Sequence, residues 1–364
     1  MAIRFRRRSG RAFALAAVVL SLLAPAAGAD EGADIAYVPV MGEGAVLVVD
    51  TAADQVRARI DGVGAQAAAV AAARDGRQLY VQSANPPFTG PDDIAVVDRT
   101  SNTVTARIPI SGTDGMTEPI ADPVRDRVYV FTARPSIDVL DTVSNTLVRS
   151  MPLPAIPFAA AISPDGGKLY TVFADSTAAV FDPETGFQVG ERIQIDGSLP
   201  ASAAVSPDGR KLYTLNVLGD NVSVIDTQSW TRLGAIAFAP GSAPVAGAIS
   251  PDGTQLMVAT LGADAVQVID LAADRVTRTV PVDAPLSVGF TADGAKMYVG
   301  SLGTHVAAPF TVPAAALDAT TLLHTYLRTD PHAGALVPFH TATWQPAGAP
   351  IPTGSGPAAG AFLD

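Results

Sequence analysis

The sequence predicts an all-β fold, a closed ring of seven four-stranded antiparallel sheets, and three observations predict it. The phrase "SPDGRKLYTLN" at Ser206 has close relatives beginning at Ser163, Ser250 and Thr291, about forty residues apart. A tyrosine recurs once per unit at Tyr37, Tyr80, Tyr129, Tyr170, Tyr213 and Tyr298, with Met257 in the remaining slot, and an aspartate follows it at Asp50, Asp98, Asp141, Asp182, Asp226 and Asp270. The tail "GPAAGAFLD" reads as a first strand with no second strand after it, whereas the opening "ADIAYVPVMGEGAVLVVDT" reads as second and third strands with no first. A sheet of this size cannot bury both its faces alone, and seven packed radially bury one another, so the pattern predicts a seven-bladed β-propeller. Its first blade is zipped together from the two ends of the chain, which leaves no sheet edge at the seam.

Residues 200–238 show how one unit is built. Four β-rich runs stand at Ala201–Ser206, Lys211–Asn216, Asn221–Asp226 and Trp230–Phe238; they are called strands a, b, c and d. Ser-Pro-Asp-Gly joins a to b: proline presets the first corner of a type I turn and glycine takes the left-handed position after it. Gly219-Asp220-Asn221 joins b to c, and Asp226-Thr227-Gln228-Ser229 joins c to d. An Asp or Thr in such a turn bonds the backbone two residues on, so the repeated aspartates, including Asp165, Asp208, Asp252 and Asp293, are expected to hold turns rather than metals.

Before the first unit the chain reads as a targeting segment. Arg4, Arg6, Arg7, Arg8 and Arg11 precede an apolar run, Ala12–Ala24, and Ala27-Gly28-Ala29 supplies a small-residue cleavage site before Asp30. This is the pattern of a secretory signal peptide, residues 1–29, which leaves a single propeller domain at 30–364 without a membrane span and an expected periplasmic or secreted destination. Cleavage would remove five arginines and no acids, moving the net charge from −11 to −16. Such a chain repels phosphate backbones, which excludes nucleic acid as an expected partner and favours cations or basic surfaces. The sequence contains no cysteine. It therefore has no disulfide, no thiolate metal site and no C-x-x-C-H haem attachment.

The stretch "SPDGRKLYTLN…NVSVIDTQSWTRLGAI" resembles the YVTN-type β-propeller repeat, although strand b here reads Tyr-Thr-Leu-Asn or Tyr-Val-Gly-Ser rather than Tyr-Val-Thr-Asn. The resemblance covers nearly all of 34–364, most closely in blades 4, 5 and 6. It implies the fold, and it implies secretion or surface display. Related propellers include lactonase-like enzymes and subunits of quinoprotein or haem dehydrogenases, so it implies little about activity.

Function is sought in the departures from the repeat. In an up-and-down blade the a–b and c–d turns share one face of the ring, and the b–c and d–a connections share the other. The b–c connection is longer in blade 2, where "ANPPFTGPDD" fills 84–93, and much longer in blade 7. Blade 7 admits two readings: Asp318 closes its strand c, or "VPFHTATWQPAGAP" at 337–350 aligns with "SVIDTQSWTRLGAI" at 223–236. The second superposes Trp344 on Trp230 and Gly348 on Gly234 and is preferred. It puts His340 in the strand-c aspartate position and leaves 302–334 as an insertion on a rigid scaffold, a usual place for function. Within it "PAAALDATTLLHTYL" at 313–327 has the leucine spacing of a short helix.

The insertion carries His305, His324 and His332, together with Arg328. A metal ion held by the three histidines is one reading and solvated loop histidines the other, since their spacing matches no compact ligand signature. The same face gathers Glu43, Asp61, Asp92, Asp93, Asp114, Glu118, Asp175, Asp196, Asp220, Asp264 and Asp283, with Arg134 one of its few bases. No nucleophile elbow, phosphate-binding loop or dinucleotide fingerprint occurs, so no catalytic residue and no organic cofactor is expected. The expected function is that of a binding or scaffold module. A partner protein or small ligand would dock at the channel mouth through Glu43, Asp92, Arg134, Asp175, Asp220, Asp264 and the residues of the insertion. The alternative, an enzyme or an accessory subunit of a periplasmic redox enzyme, rests on the family resemblance.

Overall fold

A computed structural model describes residues 35–41, 43–83, 93–111, 118–132, 134–303, 334–354, 356–358 and 360–363. Seven four-stranded antiparallel sheets are present, as the repeat predicts. Blade 5 runs Pro200–Val205, Lys211–Asn216, Asn221–Asp226 and Thr231–Ala237. Blades 2, 3, 4, 6 and 7 repeat it within 67–109, 120–152, 157–194, 244–281 and 285–354. Among the described residues the only helical element is a single 3₁₀ turn, Leu261–Ala263.

The core is a set of apolar layers between neighbouring blades rather than one central mass. Tyr213, Leu215, Val222 and Val224 of blade 5 meet Ile249, Leu256, Val258 and Ile269 of blade 6 in one such layer. Tyr80, Ile94 and Val96 of blade 2 meet Val128, Val130 and Leu140 of blade 3 in another. Both faces of strands b and c are therefore dry, which is why these strands read as near-continuous apolar runs, whereas the outer d strands are mostly exposed and bury one residue near their end.

The ring closes as the chain ends predict. Ala361–Leu363 is strand a of blade 1 and pairs antiparallel with Ile35–Val40, placing Ala361 opposite Tyr37 and Leu363 opposite Ile35. The amide of Met41 donates to the carbonyl of Gly356 at 3.1 Å, and that of Ala358 donates to the carbonyl of Pro39 at 2.8 Å.

Blade 7 follows the second alignment. Gly334–His340 is its strand c, and His340 faces Lys296 as Asp226 faces Lys211. The strand begins at Gly334, the last residue of the expected insertion. Strand d, Ile351–Gly354, places Ile351 opposite Leu336 where blade 5 places Ile236 opposite Val222. That lies one residue beyond the ungapped alignment. The extra residue is accommodated in 345–350, where Phe339 and Pro346 form an isolated bridge.

The repeated aspartates hold turns. Asp226 accepts the amides of Gln228 at 3.0 Å and Ser229 at 2.7 Å, and Asp50, Asp141, Asp182 and Asp270 bind the same two positions. In the a–b turns the hydroxyl of Ser206 donates to Asp208 at 2.6 Å and accepts the amide of Lys211 at 2.9 Å, while Gly209 sits at φ 71°. Backbone amides hold Asp98, Asp141, Asp182 and Asp226 below the usual carboxylate range; hydroxyl donors Ser163, Ser206, Ser250 and Thr291 do the same for Asp165, Asp208, Asp252 and Asp293. A carboxylate whose pKa is lower folded than unfolded stabilises the fold above the ordinary value of 3.8, and that contribution is lost as pH falls through the folded value. The urea midpoint should thus be flat between pH 7 and 5 and fall steeply below about pH 4, with all blades contributing.

Each c–d turn then places a residue in the left-handed region, four positions after the strand-c aspartate. These residues are Asp54, Asn102, Asn145, Gly186, Trp230, Asp274 and, four after His340, Trp344, with φ between 47° and 78°. All but Gly186 offer a side chain to the preceding blade. The hydroxyl of Tyr80 donates to Asn145 at 2.6 Å, that of Tyr213 donates to Asp274 at 3.0 Å, and the ring of Tyr170 stacks on Trp230 with centroids 5.8 Å apart. Trp344 packs against the cluster that contains Met257, the one unit without the tyrosine. Trp230 is therefore a turn residue and not the first residue of strand d.

Candidate functional site

The face bearing the b–c and d–a connections collects the departures from the repeat. The strand ends that border 84–92, 112–117 and 304–333 all lie on it. Asp92, Asp114, His305, His324, Arg328, His332 and the expected helix at 313–327 lie outside the described residues, and the metal reading lies there with them.

The described candidates are distributed around the rim, one or two per blade, and most are engaged by the fold. Asp220 stands in the b–c turn of blade 5 at φ 47° and accepts the amides of Gly241 at 2.7 Å and Ala243 at 2.8 Å. Asp264 does the same in blade 6, accepting the amide of Ala284 at 2.9 Å. Each therefore stitches a b–c turn to the neighbouring d–a loop. Replacing Asp220 with alanine removes two charge-assisted bonds from a half-buried site. We expect a loss of about 1.5–3 kcal/mol, read from the urea midpoint, with the secondary structure unchanged by circular dichroism.

The other acids are met by arginines from the outer strands. Although these arginines stand on the outer d strands, their guanidinium groups reach the mouth. Arg59 pairs with Glu43 and, at 2.7 Å, with Asp61; Arg107 pairs with Asp93 at 2.7 Å; Arg192 pairs with Asp175; Arg232 pairs with Asp196 at 2.6 Å. Asp175 is held below the usual carboxylate range: burial opposes this, but the Thr177 hydroxyl and Arg192 prevail. The rim is thus a series of ion pairs, and its acidity is partly neutralised. Arg134, in the b–c turn of blade 3, is exposed, and its carbonyl accepts the amide of Ser136 at 2.7 Å.

Inside this polar rim lies an apolar collar that the sequence reading missed. Met41, Val217, Leu261 and Leu302 each follow directly on strand b of blades 1, 5, 6 and 7. All four are buried in one cluster with Ala201, Val245 and Leu286 from the second position of strand a. Backbone bonds fix them: the amides of Val217, Leu261 and Leu302 donate to the carbonyls of Leu199, Ala243 and Ala284 at 3.0, 3.1 and 3.1 Å. The signal was present, since an aliphatic residue stands one step after strand b in each of these blades.

Among the described residues no three His, Asp or Glu side chains come together as a metal site. Asp175 and Arg59, both in rim ion pairs, have shifted ionisations on this face. The described geometry is that of a rigid polar rim around an apolar collar. No helix among the described residues is long and apolar enough to cross a membrane.

Comparison with known proteins shows the fold. No protein-family model matches the chain, and no curated protein does. Solved structures do match. A chain of the hydrazine synthase of Kuenenia stuttgartiensis is 20% identical, with a TM-score of 0.64 over 82% of this chain and 96% of that one. The dihydro-haem d1 dehydrogenase NirN, solved in complex with DHE, is 16% identical, with a TM-score of 0.63 over 94% of this chain and 78% of that one. A functionally unknown protein from Desulfotomaculum acetoxidans is 15% identical, with a TM-score of 0.65 over 90% of this chain and 98% of that one. At these identities the likeness is one of fold alone.

Proposed function

We propose that the protein is an exported binding platform of the YVTN-repeat type that docks a partner protein or small ligand on its b–c/d–a face. One observation carries this reading: the connections that break the repeat, in blades 2, 3 and 7, all leave from that face, which they share with the turns of blades 5 and 6 that Asp220 and Asp264 hold rigid, while the opposite face repeats the same turn with little change. Rigid turns around variable connections are how a scaffold presents a binding surface. The polar candidates Glu43, Arg134 and Asp175 border that surface. His305, His324, Arg328 and His332 would belong to it through the long connection of blade 7, and a metal ion there would be part of the same surface.

A photoreactive residue placed at Leu218, exposed in the b–c turn of blade 5, is compared with one at Arg210, exposed in the a–b turn of the same blade. Crosslinking in the native host should yield an adduct from position 218 and none from 210. Equal adducts from both positions, or none from either, would remove the reading. Export is tested on the same material by N-terminal sequencing, expected to begin at Asp30.

The second reading, an accessory subunit of a redox assembly, draws support from the likeness to propellers of hydrazine synthase and NirN. It expects the position-218 adduct to carry haem absorbance, and a haem-free adduct argues against it.

A further inference from the structure

At six junctions of the ring a loop runs from the outer strand of one blade to the inner strand of the next. At the seventh, between blades 7 and 1, the loop delivers only Ala361–Leu363, and the other three strands of blade 1 arrive from the opposite end of the chain. That inner strand pairs with its neighbour over three residues, where strands a and b of blade 5 pair between Pro200 and Val205.

The same junction carries a dense group of polar contacts. Lys296 Nζ of blade 7 donates to Asp54 of blade 1 at 2.9 Å and to the carbonyl of Thr51 at 2.7 Å. The hydroxyl of Tyr298 donates to the same carboxylate, with the Thr51 carbonyl 2.9 Å away. Tyr298 is 1% exposed, and the Lys296 and Asp54 side chains are 19% and 18% exposed. Asp54 also lies against Gly348 of blade 7, where a β-carbon would stand 3.2 Å from its carboxylate.

We infer that Lys296, Tyr298 and Asp54 form a clasp that keeps blade 1 seated on blade 7 independently of the C-terminal strand, and so governs local opening of the ring at its seam. Three facts support this. The clasp joins strand b of blade 7 directly to the c–d turn of blade 1, bypassing residues 355–364. It is a charge-assisted pair of bonds on one carboxylate in a half-dry site, stronger than a surface ion pair. The apolar layer at this junction is also small, comprising Ala36, Val38, Val40, Leu47, Val49, Tyr298, Leu336 and Ile351.

The protein contains its own control. Lys211 and Tyr213 of blade 5 hold Asp274 of blade 6 in the same arrangement, at 2.6 and 3.0 Å, across a junction that a chain loop also crosses. Asp54→Ala and Asp274→Ala therefore remove equivalent bonds, but only the first lies at the seam.

The test is native-state hydrogen exchange read by mass spectrometry on the peptide containing Ile35–Val40. Asp54→Ala should speed exchange there about ten-fold or more. Asp274→Ala should leave it within about two-fold, although both variants lower the urea midpoint to a similar degree. Equal acceleration by the two variants, or none by Asp54→Ala, overturns the inference. If Asp54→Ala fails to fold, Tyr298→Phe against Tyr213→Phe makes the same comparison with a milder change and the same two outcomes.

Discussion

Replacing Asp122 with alanine should cost about 3–5 kcal/mol, among the largest losses expected from one substitution in this protein. The side chain is fully buried, and its carboxylate accepts the amides of Val124 and Arg125 at 2.9 Å, the hydroxyl of Tyr129 at 2.9 Å and the guanidinium of Arg125 at 3.1 Å. It occupies the place of Ser163, Ser206 and Ser250 in the a–b turns of blades 4, 5 and 6, and it also answers a need peculiar to blade 3. Tyr129 faces the c–d turn of blade 4, where the left-handed residue is Gly186 and offers no side chain. Asp122 supplies the missing acceptor from within blade 3. Alanine would leave the buried Tyr129 hydroxyl and two turn amides without it, while Arg125 keeps Glu184 and the carbonyl of Gly166. Asp122→Ser, which restores the consensus turn, should recover part of the loss but not the tyrosine's partner. Urea titrations of the three proteins decide this, and equal midpoints for serine and aspartate would show that Tyr129 needs no acceptor.

Ending the chain at Ser355 should lower the melting temperature by about 10 °C or more. The truncation removes Ala358, Ala361 and Leu363 from the core and bares the inner edge of Ile35–Val40. Burial of even one leucine contributes about 1.5–3 kcal/mol, and each kcal/mol moves the midpoint of a large domain by about 2–4 °C. The bared edge should also promote concentration-dependent association. A peptide of residues 356–364 supplied in excess should restore part of the lost temperature by mass action. A truncated protein that melts like the full chain would mean that the C-terminal strand adds nothing to closure.

The ring was legible because its evidence is periodic and local. Tyrosine, aspartate and Ser-Pro-Asp-Gly recur at fixed offsets: the tyrosine fills the layer between blades from strand b, and the other two hold turns. Even the displaced unit at 337–354 was readable, since Trp344 and Gly348 kept their spacing after a long insertion. The rim was less legible, because its partners are fixed by strand register rather than by a repeated residue. Arg59–Glu43, Arg107–Asp93 and Arg192–Asp175 join strand d to the b–c end of strand c in the same blade, and Arg232–Asp196 joins strand d of blade 5 to the loop leaving blade 4. The left-handed residues occupy an intermediate case. They stand four positions after each strand-c aspartate and could have been counted, but they differ in identity because each is matched to a side chain on a different blade. A conserved position is easy to see in one sequence when the residue repeats, and hard when only the conformation does.

The two tryptophans deserve a spectroscopist's notice, because both occupy that left-handed position. Trp230 lies on Tyr170 and donates its indole N–H to the carbonyl of Glu191 at 2.8 Å, and Trp344 packs at the junction of blades 6 and 7. No other tryptophan occurs in the chain. Intrinsic emission therefore reads two of the seven junctions, 4–5 and 6–7, and is blind to the rest. A fluorescence-detected transition that coincides with far-ultraviolet dichroism would mean that the ring melts as a unit. One that lags behind would place the first loss of structure on the dark side of the ring, around blades 1 to 3, where no chromophore of this kind reports.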